Sequence, residues 1–201
     1  MAPWAITDQV EYLGQDLRAH LILKDIRPFE VWRLDLPGGG EGRTVADIRS
    51  LTLASRPNRS VQFLFAVRRF LGRLFGWDKE SEDRAALFQS RLAEADRELS
   101  TVATGTKDGP FTVLYVHPTE AMSEIRNKTV HAALVWALLP KTDGYRLLWG
   151  IHVKPVGRLT AFYMAFIKPF RHWIVYPALL SRLFNLWCST YNSTREESAN
   201  E

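Results

Sequence analysis

Five histidines, a single cysteine and one dense run of polar residues carry most of the chemistry available to this 201-residue sequence. The run is Glu124, Arg126, Asn127, Thr129 and His131. In a strand, residues two apart share a face, so Glu124 falls with Arg126 and Thr129 with His131. His152, on a later strand, can join either set. A histidine beside a carboxylate inside an apolar pocket can exchange protons near neutral pH. Glu124, His131 and His152 are therefore the candidate catalytic residues. The competing reading puts them on a solvated sheet face or in structural pairs at a turn.

Other chemistries fail on pattern. No HExxH or comparably close metal spacing occurs, so no metal site is expected. No Gly-x-Ser-x-Gly elbow is present. Gly38, Gly39, Gly40 and Gly42 form a glycine-rich stretch, but Arg43 stands where a GxGxxG loop needs its last glycine. No Gly-Lys-Ser/Thr follows, so the stretch reads as a flexible turn rather than a phosphate cradle. Cys188 has no partner for a disulfide and reads as an inert thiol in the last helical turn. No cofactor is expected.

The elements that must position these residues follow from periodicity. A short helix is expected near Asp8–Arg18 and a strand over Ile26–Leu36. Thr44 can cap a helix over Val45–Ala54, and Ser60 another over Val61–Phe75. A further short helix is expected around Leu92–Leu99. Strands are expected over Phe111–Val116, Ala121–Arg126, Thr129–Leu139 and Tyr145–Val153, joined by turns short enough for an antiparallel meander. In the last strand Tyr145, Leu147, Trp149, Ile151 and Val153 share one face, and Arg146, Leu148, Gly150 and His152 the other.

A long helix then runs from Pro155 to about Cys188, bent at Pro169 and Pro177. At 3.6 residues per turn, Leu159, Phe162, Phe166, Phe170, Trp173, Ile174, Leu180 and Phe184 line its core face. Lys168, Arg171, His172 and Arg182 take the outer face.

Composition bounds the remaining possibilities. Apolar residues at 46% and charged residues at 24% exclude a fully disordered or collagen-like chain. The net charge of +4 conceals an asymmetry: Gly144–Arg195 contains seven basic residues and no acid, which leaves the rest at −3. So modest a net charge without a recognised module argues against nucleic-acid binding. The N-terminus lacks a signal-peptide pattern, and charges interrupt the C-terminal apolar stretch before it reaches the roughly 20 residues of a membrane span. The expectation is a cytoplasmic protein with one domain over 1–188 and a disordered polar tail over 189–201.

The order strand, helices, antiparallel meander, long C-terminal helix is that of the helix-grip proteins. The fold class expected is α+β, with a curved antiparallel sheet wrapped around the kinked C-terminal helix. Gly157-Arg-Leu159, Lys168-Pro-Phe-Arg171, Ile174-Val175, Leu179 and Leu180 together resemble the C-terminal signature of the domain-of-unknown-function family 2867. Phe70–Trp77 and Glu124–His131 also resemble segments of that family. The resemblance implies a START-like (SRPBCC) helix grip and no particular reaction.

Such a fold often leaves an apolar cavity between helix and sheet. The function expected is binding of a hydrophobic small molecule there, a lipid or a polyketide- or terpenoid-like metabolite. Trp32, Trp136, Trp149, Phe162, Phe166, Phe170 and Trp173 are its candidate ligand-binding residues. One alternative is a cyclase or isomerase using Glu124, His131 and His152 in the same cavity. Another is a peripheral membrane or interaction protein whose basic helix face makes weak contact with an anionic membrane surface.

Overall fold

A computed structural model describes residues 2–54, 87–126, 130–155, 165 and 168–192. The chain begins with β1 (Trp4–Ile6), α1 (Gln9–Leu13), α2 (Arg18–Ile22), β2 (Pro28–Pro37) and α3 (Val45–Ala54). A 3₁₀ turn (Phe88–Arg91) and α4 (Glu94–Glu98) precede β3 (Lys107–Asp108), β4 (Phe111–Val116), β5 (Glu120–Arg126), β6 (His131–Lys141) and β7 (Gly144–Lys154). The last element is α5 (Tyr176–Tyr191), entered through a π turn over Arg171–Val175.

The strands form one antiparallel sheet in the order β1-β2-β7-β6-β5-β4-β3. Bulges between Pro28 and Glu30 and between Val113 and Tyr115 interrupt the ladders, and such insertions bend a sheet. α5 packs across β2 on one face, which makes the chain an α+β helix grip.

Local chemistry explains several boundaries. Asp8 caps α1 by accepting the Val10 N–H at 3.1 Å, and Gly14 ends it, so the helix expected near Asp8–Arg18 is confined to Gln9–Leu13 and a separate helix, α2, begins at Arg18. At α3 the Asp47 carboxylate reaches back to the Thr44 N–H at 2.8 Å and the Thr44 hydroxyl at 3.0 Å, a variant of the capping box. The helix expected around Leu92–Leu99 is α4, and the 3₁₀ turn precedes it. The glycine run after β2 is less free than a flexible turn. Gly38, Gly39 and Gly40 all have positive φ, and Gly39 lies against the Trp187 ring, where a Cβ would collide.

Both faces of the sheet are buried. On the helix side Leu34, Leu36, Leu147 and Ile151 meet Tyr176, Leu180, Leu183 and Trp187, with Val45 and Ile48 of α3 beside them. On the other side Tyr12, Leu17, Ala19, Ile22 and Phe88 cover Val31, Met122, Ala133, Val135 and Leu148. The solvated sheet face considered for the polar run is therefore absent on β5–β7: α1, α2 and the 3₁₀ turn occupy that side. Strand alternation holds as expected, and Arg146 points to this second side, bonded to Glu11 at 2.6 Å and Asp35 at 2.7 Å.

The C-terminal helix departs from its expected phase. In the π turn the Tyr176 N–H donates to the Arg171 carbonyl, five residues back. Pro177 follows and has no N–H to give. The extra residue rotates what precedes it by about 100° relative to α5. Phe170 and Ile174, expected in the core with Leu180, are 43% and 39% exposed, and Trp173 is 81% exposed. Arg171 and His172, expected outside, fold inward. At the other end α5 continues through Ser189, Thr190 and Tyr191 instead of yielding to a disordered tail at 189. Tyr191 is held there by the Trp187 ring at 4.8 Å and by the Arg43 guanidinium 3.9 Å from its own ring centre. The expected helix Val61–Phe75, the turn at Asn127-Lys128, and the helical segment with Leu159, Phe162 and Phe166 lie outside the described residues.

Candidate functional site

Register, which no single strand reveals, lines three tryptophans up across the helix-facing side of the sheet. Trp32 on β2 pairs with Trp149 on β7, and Trp149 pairs with Trp136 on β6. Adjacent strands lie about 4.8 Å apart, so the row is about 10 Å wide. Trp32 and Trp149 are buried and Trp136 is partly so. Tyr176 closes over the row, with its ring centre 5.0 Å from that of Trp32 and 5.3 Å from that of Trp149. The indole N–H groups of Trp32 and Trp149 are both buried without a hydrogen-bond partner. Buried donors usually find a partner, so two neighbouring exceptions on one wall mark the position.

A buried carboxylate secures the entry to this wall. Glu30, at the bulged start of β2, receives Arg171 Nη2 at 2.6 Å, His172 Nε2 at 2.5 Å and the Tyr176 hydroxyl at 3.1 Å. The π turn supplies all three partners or their immediate neighbour, which is why its altered phase matters. Charge burial at Glu30 is tolerable only because these donors saturate the carboxylate. The His172 ring also meets Trp32 edge-on at 5.5 Å. Glu30 escaped sequence reasoning because its partners are 141 to 146 residues away.

Of the seven aromatics expected at the ligand, Trp32, Trp136 and Trp149 thus come together. Phe170 and Trp173 do not: the π turn directs them outward. Phe162 and Phe166 are among the residues not described.

The acid–base candidates are buried too, but on the second side of the sheet. Glu124, Ala133 and His152 stand in one row across β5, β6 and β7. Glu124 Oε2 accepts from His131 Nε2 at 3.1 Å and from the Phe88 N–H at 2.8 Å, while Oε1 faces the Gln89 N–H at 3.3 Å. The His131 ring stacks on Phe88 at 3.8 Å. These contacts pin the 3₁₀ turn to the sheet.

His152 makes a separate set. Its Nδ1 lies 2.9 Å from the Ile26 carbonyl and its Nε2 lies 3.0 Å from the Tyr12 hydroxyl. A carbonyl only accepts, so Nδ1 carries the proton and Nε2 accepts from Tyr12. Burial lowers the His152 pKa to about 4, which keeps the ring neutral at pH 7. Burial, helped by the nearby Glu120 charge, raises the Tyr12 pKa. Gly150 leaves the space that the Tyr12 ring occupies.

The trio therefore splits into two pairs, Glu124–His131 and His152–Tyr12, separated from the tryptophan row by the sheet itself. The first fastens the 3₁₀ turn to the sheet and the second fastens α1. Glu120, four residues before Glu124 and on the same face, belongs to this side. It accepts from the Tyr115 hydroxyl at 2.5 Å and from the Arg18 N–H at 3.0 Å, and burial raises its pKa. The alternation Glu120, Met122, Glu124 was the signal that could have found it. Among the described residues no cluster of three metal-ligating side chains occurs. Burial also raises the Cys188 thiol pKa, in keeping with an unreactive thiol.

A family model described as "Protein of unknown function (DUF2867)" matches residues 22–178. No curated protein and no solved structure matches the chain.

Proposed function

Since the chain belongs to the DUF2867 family, whose description names no activity, we propose its function from the site: it binds a hydrophobic small molecule between the sheet and the C-terminal helix. The ligand is of lipid, polyketide or terpenoid-like character and carries at least one acceptor oxygen. The fold is then a START-like (SRPBCC) helix grip working as a binding module in the cytoplasm.

The observation that supports this reading is the pair of buried, unpartnered indole N–H groups on Trp32 and Trp149, set in a wall of aromatic rings. Each unsatisfied buried donor costs about 1–3 kcal/mol, and an oxygen accepting from either recovers that loss. The rings supply flat apolar area for the remainder of the molecule. A cyclase or isomerase acting in the same space draws no support from Glu124, His131 or His152, which stand behind the sheet.

Native mass spectrometry after incubation with a lipid and metabolite extract tests the reading. A retained species of defined mass is expected, with retention reduced in Trp149→Phe, which keeps the ring and removes the donor. No retained species, or one whose binding ignores both Trp32→Phe and Trp149→Phe, overturns it.

A further inference from the structure

The outer side of the π turn carries a surface that ligand binding leaves unused. Phe170, Trp173 and Ile174 are exposed in consecutive turns, with Trp173 almost entirely so. Phe29, also exposed, extends this ridge, and the Arg171 guanidinium lies 5.3 Å from the Phe29 ring. The ridge exists because the π turn rotates these residues out of the core phase that α5 follows.

The charge around it has one sign. Lys168 is exposed two residues before Phe170, where the ridge begins. Lys24 and Arg27 are exposed at the entry to β2, and Lys154 ends β7, the strand paired with β2. The acids at this end are engaged, Asp25 by Arg91 and Glu30 by Arg171 and His172. From Gly144 to Arg195 the sequence supplies no acid at all.

We propose that this ridge docks the protein on an anionic phospholipid bilayer. Trp173 and Phe170 enter the headgroup region, and Lys168 and Arg27 face the lipid phosphates. Indole and phenyl rings flanked by lysine and arginine suit that boundary, where one end of the ring is apolar and the other wet. The surface charge of the membrane attracts the flanking bases. Self-association through the same ridge would set cations against cations, which disfavours a second copy as the occupant.

Co-sedimentation with phosphatidylcholine vesicles, with and without phosphatidylserine, tests the proposal. Binding is expected only with phosphatidylserine and should weaken as salt rises. Trp173→Ser and Phe170→Ser should each weaken it by about tenfold or more, and Lys168→Glu by about fivefold or more. Trp173 and Lys168 are exposed, so the thermal unfolding midpoints of Trp173→Ser and Lys168→Glu should match the parent and certify the fold. Equal binding to both vesicles, no binding, or unchanged binding by Trp173→Ser overturns the proposal. So does a concentration-dependent dimer that Trp173→Ser dissolves. Ligand retention by Trp173→Ser, read by native mass spectrometry, scores the proposed ligand binding independently.

Discussion

Acidification should destabilise this protein through His152, and the size of the effect can be worked from its surroundings. The ring is buried, donates its Nδ1–H to the Ile26 carbonyl and accepts from the Tyr12 hydroxyl at Nε2. Protonation would put a second donor at Nε2, opposite a hydroxyl that already donates. The folded-state pKa is about 4 against an ordinary 6.5. Because the folded value is the lower, the unfolded chain takes up the proton first. The stabilisation is complete above pH 6.5 and is lost as pH falls from 6.5 through 4. At 1.36 kcal/mol per pH unit the loss is about 3 kcal/mol. Other groups titrate in or near this window. His20 is lowered by burial and acts in the same sense; Glu120 is raised and acts in the opposite one. Asp25, held at about 2, responds only below it. The measurement is therefore a difference. Urea unfolding of the parent and of His152→Gln, which keeps an acceptor for Tyr12 but cannot titrate, is followed from pH 7 to pH 4. The parent should lose about 3 kcal/mol relative to the variant. Parallel pH profiles would refute the assignment of a neutral, acceptor-side Nε2.

Two further perturbations test the packing on either side of the sheet. In Gly150→Ala the new Cβ would lie 2.5 Å from Tyr12 Cζ and 2.7 Å from its hydroxyl oxygen, so overpacking should cost about 1–3 kcal/mol; in Tyr12→Ala the same change should cost far less, and additive effects in the double variant would contradict the contact. On the helix side, Arg171→Met should cost about 3–5 kcal/mol by leaving the Glu30 carboxylate under-compensated, and Arg171→Met with Glu30→Met should recover most of that loss in chemical denaturation.

Much of the framework was legible from the chain alone. The β4–β7 meander follows from period-2 alternation and short turns, and α3 from the capping residue Thr44 ahead of it, because both signals are local. Arg146 and His152 fall on the face that alternation assigns them. The site was less legible. Trp32, Trp136 and Trp149 read as candidates one by one, yet their alignment depends on the register of three strands. Glu30 is an ordinary exposed-looking residue until Arg171 and His172 reach it. Phe170 and Trp173 misled because a 3.6-residue period was carried through a segment that contains a π turn.

What the sequence determined by itself is the order of the strands and the face each side chain takes along β4–β7, since the strand backbone repeats with a fixed local period of two. It also determined the one-signed charge of the C-terminal quarter. The tertiary structure decided which face meets which partner. It put the tryptophan row under Tyr176, the acid–base candidates behind the sheet with Tyr12 and Phe88, and an aromatic ridge on the outside of the helix. Those outcomes depend on pairing register and on one extra residue in a helical turn. A shift of one residue in either moves side chains from core to surface, so local periodicity does not carry the information.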